Sequence, residues 1–472
     1  MAESQSRREQ TLAAIRSSRL QHPDDQLLEC FLHDSVYPEA TARYMLQRCI
    51  DGQEDYDLMP LLSEWKKLVG TVIDQLAQQA NPSESIVADP VAEAVSQGYF
   101  RFTPTKVSNY RVTKVTIGGP NQPPLLERIP KIQWCSFTDH SDSGIETPDV
   151  SLLLATSRFS KSIRWALVAR EIASRHELPA TSLLSFSPWH HFSEYVAPMI
   201  VSMCRLMPVS FRIRIYHFLS SLGSCVYGSS CSLRVQQLPF GMYLKTKSVE
   251  DHQALKIEFG ALQLVRSQTQ IPVPRPLDLL SDTETSYLLT TTLPGQRFGS
   301  YIDILSDHDL DTFTRDMQRY LTQLRSISRH GTPTYEIRNA IGEPYYDYRI
   351  IAAHDYDKER GDFFGPCTDE EDFNNILRTP ALPDVFHSTG HNIVFTHSDI
   401  NMRNVLMHNG RISGIADREN SGWFSDYWEY TKAHYVTKLH KRWLAVVNRI
   451  FESFGDFTLD LEIERRLWEY WF

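Results

Sequence analysis

Between Phe395 and Asn404 the chain reads Phe-Thr-His-Ser-Asp-Ile-Asn-Met-Arg-Asn, which sets His397, Asp399 and Asn404 in the spacing H-x-D-x-x-x-x-N. Further on, a second isolated carboxylate, Asp417, ends the apolar pair Ile415-Ala416. A carboxylate, an amide and a second carboxylate in this order suit phosphoryl transfer to a hydroxyl. Asp399, with His397 in the same motif, would orient and deprotonate the acceptor, while Asn404 and Asp417 hold Mg²⁺ on the phosphates of ATP. The segment between them, Val405 to Ile415, reads as two short strands joined at Asn409-Gly410, a dipeptide suited to a type I′ turn. Such a hairpin would bring Asn404 beside Asp417, two oxygen ligands for a cation that demands octahedral oxygen coordination. The eight-residue pattern alone is short enough to arise by chance, with Asp399 and Asn404 as mere caps; the hairpin gives it geometry.

A nucleotide also needs a cation for its α- and β-phosphates. Lys245 ends the strand-like run from Leu238, and Glu258 sits in the middle of a helical pattern over Val249–Ser267. Leu255, Phe259 and Leu262 share one helix face, and Glu258 points the same way, so a buried carboxylate there requires a cationic partner. Lys245 is the expected partner, with Lys247 as its rival. Val235 to Lys245, broken at Pro239 and Gly241, reads as a two-stranded hairpin, Ile271 to Pro276 as an extended connector, and Ser286 to Leu293 as a β-rich run. Beyond Pro294-Gly295 the chain reads as mainly helical, except around the opening motif.

The first half carries no comparable chemistry. Apolar residues recur near helical spacing over about 6–80, short β-like runs such as Tyr110–Ile117 follow, and Ser141–Pro148 reads as a linker. Helical periodicity resumes over 161–176 and 194–222. The expected organisation is a helical region over 1–100 and a linking extension over 101–205. A kinase-like domain would then occupy 206–472, with a sheet lobe at about 220–293 and a helical lobe at about 294–472. The fold class is α+β.

At 472 residues and 42% hydrophobic content the chain can bury several cores. A net charge of −10 argues against a nucleic-acid binder. The seven cysteines are scattered with no C-x-x-C, which suggests neither a zinc site nor a disulfide framework. The polar N-terminus and the short, interrupted apolar stretch Val196–Met207 exclude a secretory signal and a bilayer span from the reading. A cytoplasmic protein with no membrane partner is expected. Acids gather at Glu343, Asp347, Asp355, Asp357, Glu359 and Asp362, an arrangement that would attract a cationic substrate. Asp369 to Asp372 instead reads as part of a helix start, with Thr368 and Glu371 forming a capping box. His190-His191 reads as an exposed loop pair rather than a metal site.

Taken in order, Leu238–Lys245, Glu258–Leu262, Ile271–Pro274, Leu293–Gly295, Tyr346–Ile350, Gly365-Pro366, His397–Asp399, Ile415–Asp417 and Tyr427–Tyr430 resemble the aminoglycoside phosphotransferase-like kinases of the phosphotransferase enzyme family, particularly their fungal branch. The resemblance covers roughly residues 220–450. It implies a protein-kinase-like fold, ATP and Mg²⁺ as cofactors and a small-molecule hydroxyl as acceptor. It also implies Asp399 as catalytic base, Asn404 and Asp417 on magnesium, Lys245 with Glu258 on ATP, and an adenine-binding hinge at Thr290, Thr291, Thr292 and Leu293. Two positions depart from the family pattern: Ser398 stands where Gly is common, and Arg418 where Trp or Phe follows the metal Asp. No G-x-G-x-x-G run exists, so the phosphate-covering loop would fall within Tyr227–Ser232. These departures make a weak or non-catalytic nucleotide-binding module the alternative reading. A protein kinase is the poorer fit, because Ser rather than Arg precedes Asp399 and no A-P-E segment follows Asp417.

Overall fold

A computed structural model describes residues 7–18, 20–50, 58–79, 94–95, 97–106, 109–115, 117, 132–136, 150–176, 188–227, 234–329, 335–353, 362–437 and 439–468. The phosphate-loop segment 228–232, the linker 141–148 and the acids Asp355, Asp357 and Glu359 lie outside the described residues, as do the side chains of His190 and His191. The chain packs as two compact units, residues 1–179 with 299–310, and residues 180–298 with 311–472.

In the first unit, helices α1 (Arg7–Ser17), α2 (Asp24–Asp34), α3 (Pro38–Ile50) and α4 (Met59–Gln79) precede an antiparallel sheet of β1 (Phe100–Lys106), β2 (Asn109–Lys114) and β3 (Ile132–Ser136), followed by helix α5 (Val150–His176). The helical spacing of Leu27, Leu28 and Leu32 on α2 and of Leu61, Leu62 and Trp65 on α4 becomes one core, with Phe31 stacked on Trp65 at 4.6 Å. Asp34 is buried in it and is satisfied by Ser162 Oγ at 2.7 Å and Arg101 at 3.3 Å.

The second unit begins with α6 (Pro188–Cys204) and α7 (Val209–Tyr227), then an antiparallel sheet in the order β4 (Val235–Leu238), β5 (Met242–Ser248), β7 (Thr285–Thr291), β6 (Pro276–Ser281). Alternation along β5 and β7 sends Leu244, Tyr287 and Leu289 toward α6 and α7, where Ala197, Val201, Ile213 and Tyr216 meet them. Lys245 faces the opposite way, toward helix α8 (His252–Gln268). Helix α7 rides directly on the backbone of β4: a Cβ on Gly223 would lie 2.0 Å from the Gln237 carbonyl oxygen, so only glycine fits there.

The rest of this unit is built around the hairpin β13 (Val405–His408) and β14 (Arg411–Ile415), to which β8 (Gln296–Arg297) adds an edge. The turn residues Asn409 and Gly410 have φ of 47° and 76°, the left-handed pair that a type I′ turn requires. Helix α9 (Asp307–Arg325) holds the hairpin through Asp316, which takes Arg411 Nε and Nη2 at 2.7 Å each. A second small sheet orders β12 (Ile393–Thr396), β15 (Gly422–Ser425) and β9 (Arg338–Asn339), and β10 (Tyr345–Tyr346) pairs with β11 (Phe363–Phe364). Helices α10 (Glu370–Leu377), α11 (Trp428–Val436), α12 (Lys441–Phe451) and α13 (Thr458–Trp468) complete it. None of the helices among the described residues is long and apolar enough to cross a membrane.

The cap of α10 differs from the T-x-x-E expectation. Asp369 is the N-cap and accepts the Asp372 N–H at 2.9 Å, while Asp372 reaches back to the Thr368 N–H at 3.2 Å. The cap is therefore shifted one residue along, with Asp369 capping the Asp372 N–H and Asp372 accepting from Thr368, the residue before the cap. Glu370 leaves the helix start and binds His391 Nδ1 at 2.6 Å, Ser425 Oγ at 2.8 Å and the Gly390 N–H at 2.6 Å.

His391 continues into a buried chain of charges. Asp460 takes His387 Nδ1 at 2.9 Å, and His387 Nε2 lies 3.3 Å from Glu464. Hydrogen bonds to Asp460 and Glu370 raise His391 to about 10, and Asp460 is held at about 2: burial pushes it up, but its bonds to His387 and His391 outweigh that. His391 therefore stabilises the fold fully below the ordinary imidazole range near 6.5, and that stabilisation is lost as pH rises through about 10. The urea midpoint of the protein should fall between pH 6 and pH 9 by more than that of His391→Gln. Equal pH dependence in the two would remove His391 as the cause.

Candidate active site

Strand β5 and helix α8 bring Lys245 and Glu258 together, Nζ to Oε2 2.8 Å, with Glu258 only 6% exposed. The same ammonium lies 2.7 Å from Asp417 Oδ1 and 2.8 Å from Glu419 Oε2. Lys247, two residues along and on the same strand face, also binds Glu419, at 2.9 Å. Burial works against a charged Lys245, yet Glu258, Asp417 and Glu419 outweigh it and hold the lysine protonated well above its usual range. Burial pushes Asp417 up as well, but Lys245 brings it below the usual carboxylate range. The strand–helix pair expected from the sequence is thus present, and Glu419 is an additional acid that the sequence reading did not single out.

The hairpin does what its turn requires. Val405 pairs with Ile415, and the Ala416 N–H donates to the Asn404 carbonyl at 2.9 Å, which sets Asn404 and Asp417 at adjacent strand ends. Asn404 Nδ2 donates to Asp399 Oδ2 at 2.9 Å and Asn401 Nδ2 to Asp399 Oδ1 at 3.1 Å, so both carboxylate oxygens are oriented. Burial raises Asp399 to about 6, and the Asp417 charge adds to this.

The loop bearing Asp399 is clamped by Glu429 of α11. Its carboxylate accepts the backbone N–H groups of His397 at 2.6 Å, Ser398 at 2.9 Å and Ile400 at 3.3 Å. Ser398 has φ of 60°, and Asp417 has φ of 64°. A non-glycine residue held there costs about 1–3 kcal/mol, which explains why glycine suits position 398. Three N–H bonds to one buried carboxylate and a 2.6 Å contact between Ser398 Oγ and Thr396 Oγ1 keep the loop in place. His397 is fully buried and its imidazole lies well below its ordinary range, from burial and from the Arg418 charge. The neutral ring donates from Nε2 to the Ala416 carbonyl at 2.9 Å, which ties the Asp399 loop to the Asp417 loop. His397 therefore acts between the loops rather than toward a reacting atom.

Arg418 is fully buried, and burial lowers its guanidinium to about 10 despite the Glu429 and Glu258 charges. Its Nε and Nη1 have no hydrogen-bond partner among the described residues. It occupies the interior beside the site, where its charge compensates two buried carboxylates.

In the hinge run, the Thr291 N–H donates to the Arg275 carbonyl at 3.0 Å and the Thr292 N–H to the Gly241 carbonyl at 2.9 Å. Thr290 pairs with Tyr243 inside the sheet, and Leu293 packs against Gly414 of the hairpin. Of the three described acids expected in a cationic-substrate field, Glu343 and Asp347 are paired within the fold. Asp347 binds Arg349 and Lys432, and Glu343 binds Lys256 and Gln253.

The donors fit a hard divalent cation. Carboxylate oxygens of Glu258, Asp417 and Glu419 all lie within 4.8 Å of one another, and Asn404, with its Nδ2 committed to Asp399, has an amide oxygen to add.

Among known proteins, residues 237–445 match the model of the phosphotransferase enzyme family. No curated protein matches the chain. Solved structures similar to it include a thermostable mutant of aminoglycoside phosphotransferase APH(4)-Ia with ADP and hygromycin B, at 15% identity over 54% of this chain and 88% of that one, TM-score 0.34. The gentamicin complex of APH(2")-IIa is similar at 13% identity over 49% of this chain and 76% of that one, TM-score 0.35. The type VIII aminoglycoside-3'-phosphotransferase is similar at 15% identity over 52% and 91%, TM-score 0.35. Residues 237–445 of this chain are thus similar to the phosphotransferase enzyme family.

Proposed function

We propose that the chain is an ATP- and Mg²⁺-dependent kinase that transfers the γ-phosphate to a hydroxyl of a small molecule. The observation that carries the proposal is the meeting of Lys245, Glu258, Asp417 and Glu419 within one hydrogen-bond shell, next to the Asp399–Asn404 pair. Lys245, oriented by Glu258, binds the α- and β-phosphates. Bound Mg²⁺ supplies charge neutralisation on the phosphates, and Asp417, Asn404 and Glu419 are the residues that would hold it. Asp399 Oδ accepts the acceptor's hydroxyl proton as that oxygen bonds to the γ-phosphorus and the bond to the β–γ bridging oxygen breaks, releasing ADP. With the Thr291 and Thr292 N–H groups already engaged, adenine recognition falls to the Leu293 N–H and the carbonyls of the run.

The acceptor is a small molecule rather than a peptide. Strand β15 and helix α11 follow Asp417 almost at once, which leaves no activation segment on which a peptide would dock. A second reading, a nucleotide-binding module without transfer, is favoured by Arg418, a buried cation where the family places an aromatic ring under the metal Asp.

Nucleotide binding is tested by thermal shift. A ligand that binds only the folded state at 100-fold over its Kd stabilises by about 2.7 kcal/mol. Mg·ATP should raise the midpoint of the wild type, and Asp417→Ala should shrink that rise strongly. No rise with Mg·ATP removes both the kinase and the nucleotide-module readings.

A further inference from the structure

Helices α6 and α7 are apolar on two opposite faces. Ala197 and Val201 of α6, and Ile213 and Tyr216 of α7, face the sheet. Half a helical turn away, Tyr195, Met199 and Met203 form an i, i+4, i+8 stripe on α6 that is 78%, 59% and 64% exposed. On α7, Phe211 and Phe218 form a second outward stripe, and Leu206 in the connecting turn is 89% exposed. At about 200 Å² per whole residue, these six side chains expose on the order of 800 Å². A typical monomer's largest apolar patch is about 300–600 Å², while one side of a standard protein interface buries about 800 Å². A helix apolar all round is ordinarily covered.

The charges around the patch indicate the cover. From 188 to 227 the only acid is Glu194, in a chain with 58 acidic residues. Arg212 is turned to Asp278 at 2.7 Å and Arg205 to the same carboxylate at 3.6 Å, while Arg214 lies over the Phe211 ring at 5.7 Å. Asp278 thus draws in Arg205 and Arg212 and leaves Arg214 as the cation on this face, while the overall charge of −10 opposes an anionic lipid surface. A surface of the same apolar, sparsely charged character suits it, with Arg214 held over the Phe211 ring.

We infer that the outward face of α6 and α7 is a homodimer interface, formed by the same face of a second copy of this chain. The inference is independent of the phosphoryl-transfer reading. Sedimentation of the full chain at micromolar concentration should give a mass twice the 54.5 kDa of the monomer. Met203→Glu combined with Phe218→Glu should give monomers that keep the wild-type response to Mg·ATP, because both side chains point away from the sheet. A wild-type monomer, or a dimer untouched by the two substitutions, overturns the inference. Hydrogen exchange on the wild type needs no variant: protection over 195–222 should fall on dilution through the dissociation range. Protection independent of concentration also overturns it.

Discussion

Asp399→Asn should lower the rate of phosphoryl transfer by at least about 10²- to 10⁴-fold, the usual contribution of a general base. The substitution keeps the size of the side chain, and one of its two amide contacts survives, since Asn401 and Asn404 each present a donor that only an oxygen accepts. What it removes is the proton acceptor, a carboxylate that burial raises to about 6. Lys245, Glu258, Asp417 and Glu419 are untouched, so the thermal response to Mg·ATP should stay close to that of the wild type. Single-turnover transfer and thermal shift, measured on the same preparation, separate the two effects. Loss of nucleotide response together with activity would show that Asp399 shapes the nucleotide site instead of serving as the base.

The largest stability effect is expected away from the phosphates. Arg349 has no exposed surface, and its guanidinium reaches Asp347 at 3.2 Å and Glu464 at 2.8 Å while stacking over Trp428 at 4.1 Å. Burial disfavours its charge, but the two carboxylates outweigh burial and raise it above the ordinary arginine range. Arg349→Met fills similar space and strands Glu464 and half of Asp347 without a cation. Removing one partner from a buried ion pair typically costs about 3–5 kcal/mol. The urea-unfolding free energy should fall by that amount; a change under about 1 kcal/mol would mean that Lys432 and His387 satisfy the stranded carboxylates alone.

The arrangement of the candidate site was legible in the sequence wherever short-range geometry linked the residues. Asn409-Gly410 specified a turn, the turn specified a hairpin, and the hairpin set Asn404 beside Asp417. The apolar face of α8 left Glu258 with an inward direction, and Lys245 was on the facing strand. Glu419 was missed although a signal existed: Lys245 and Lys247 share a strand face, and an acid two residues beyond Asp417 could reach both. Glu429 had a weaker signal, an acid in a helix whose buried residues run from Trp428 through Tyr435. Nothing local pointed to the Arg349–Glu464 pair, which closes over 115 residues, or to the pairing of Asp347 with Lys432. For that reason Glu343 and Asp347 read as part of a cationic-substrate field, whereas Glu343 is paired with Lys256 and Asp347 with Arg349 and Lys432. The helices α6 and α7 read correctly as helices over 194–222, but apolar residues on both faces hid which side meets the sheet.

The central claim is that this chain moves the γ-phosphate of ATP to a small-molecule hydroxyl through Asp399. Its most direct test incubates the protein with Mg²⁺, γ-labelled ATP and a protein-free metabolite extract, with Asp399→Asn in parallel. Label in a new small molecule with the wild type and none with Asp399→Asn is the expected result. No labelled product, or equal labelling by the two proteins, would contradict the account.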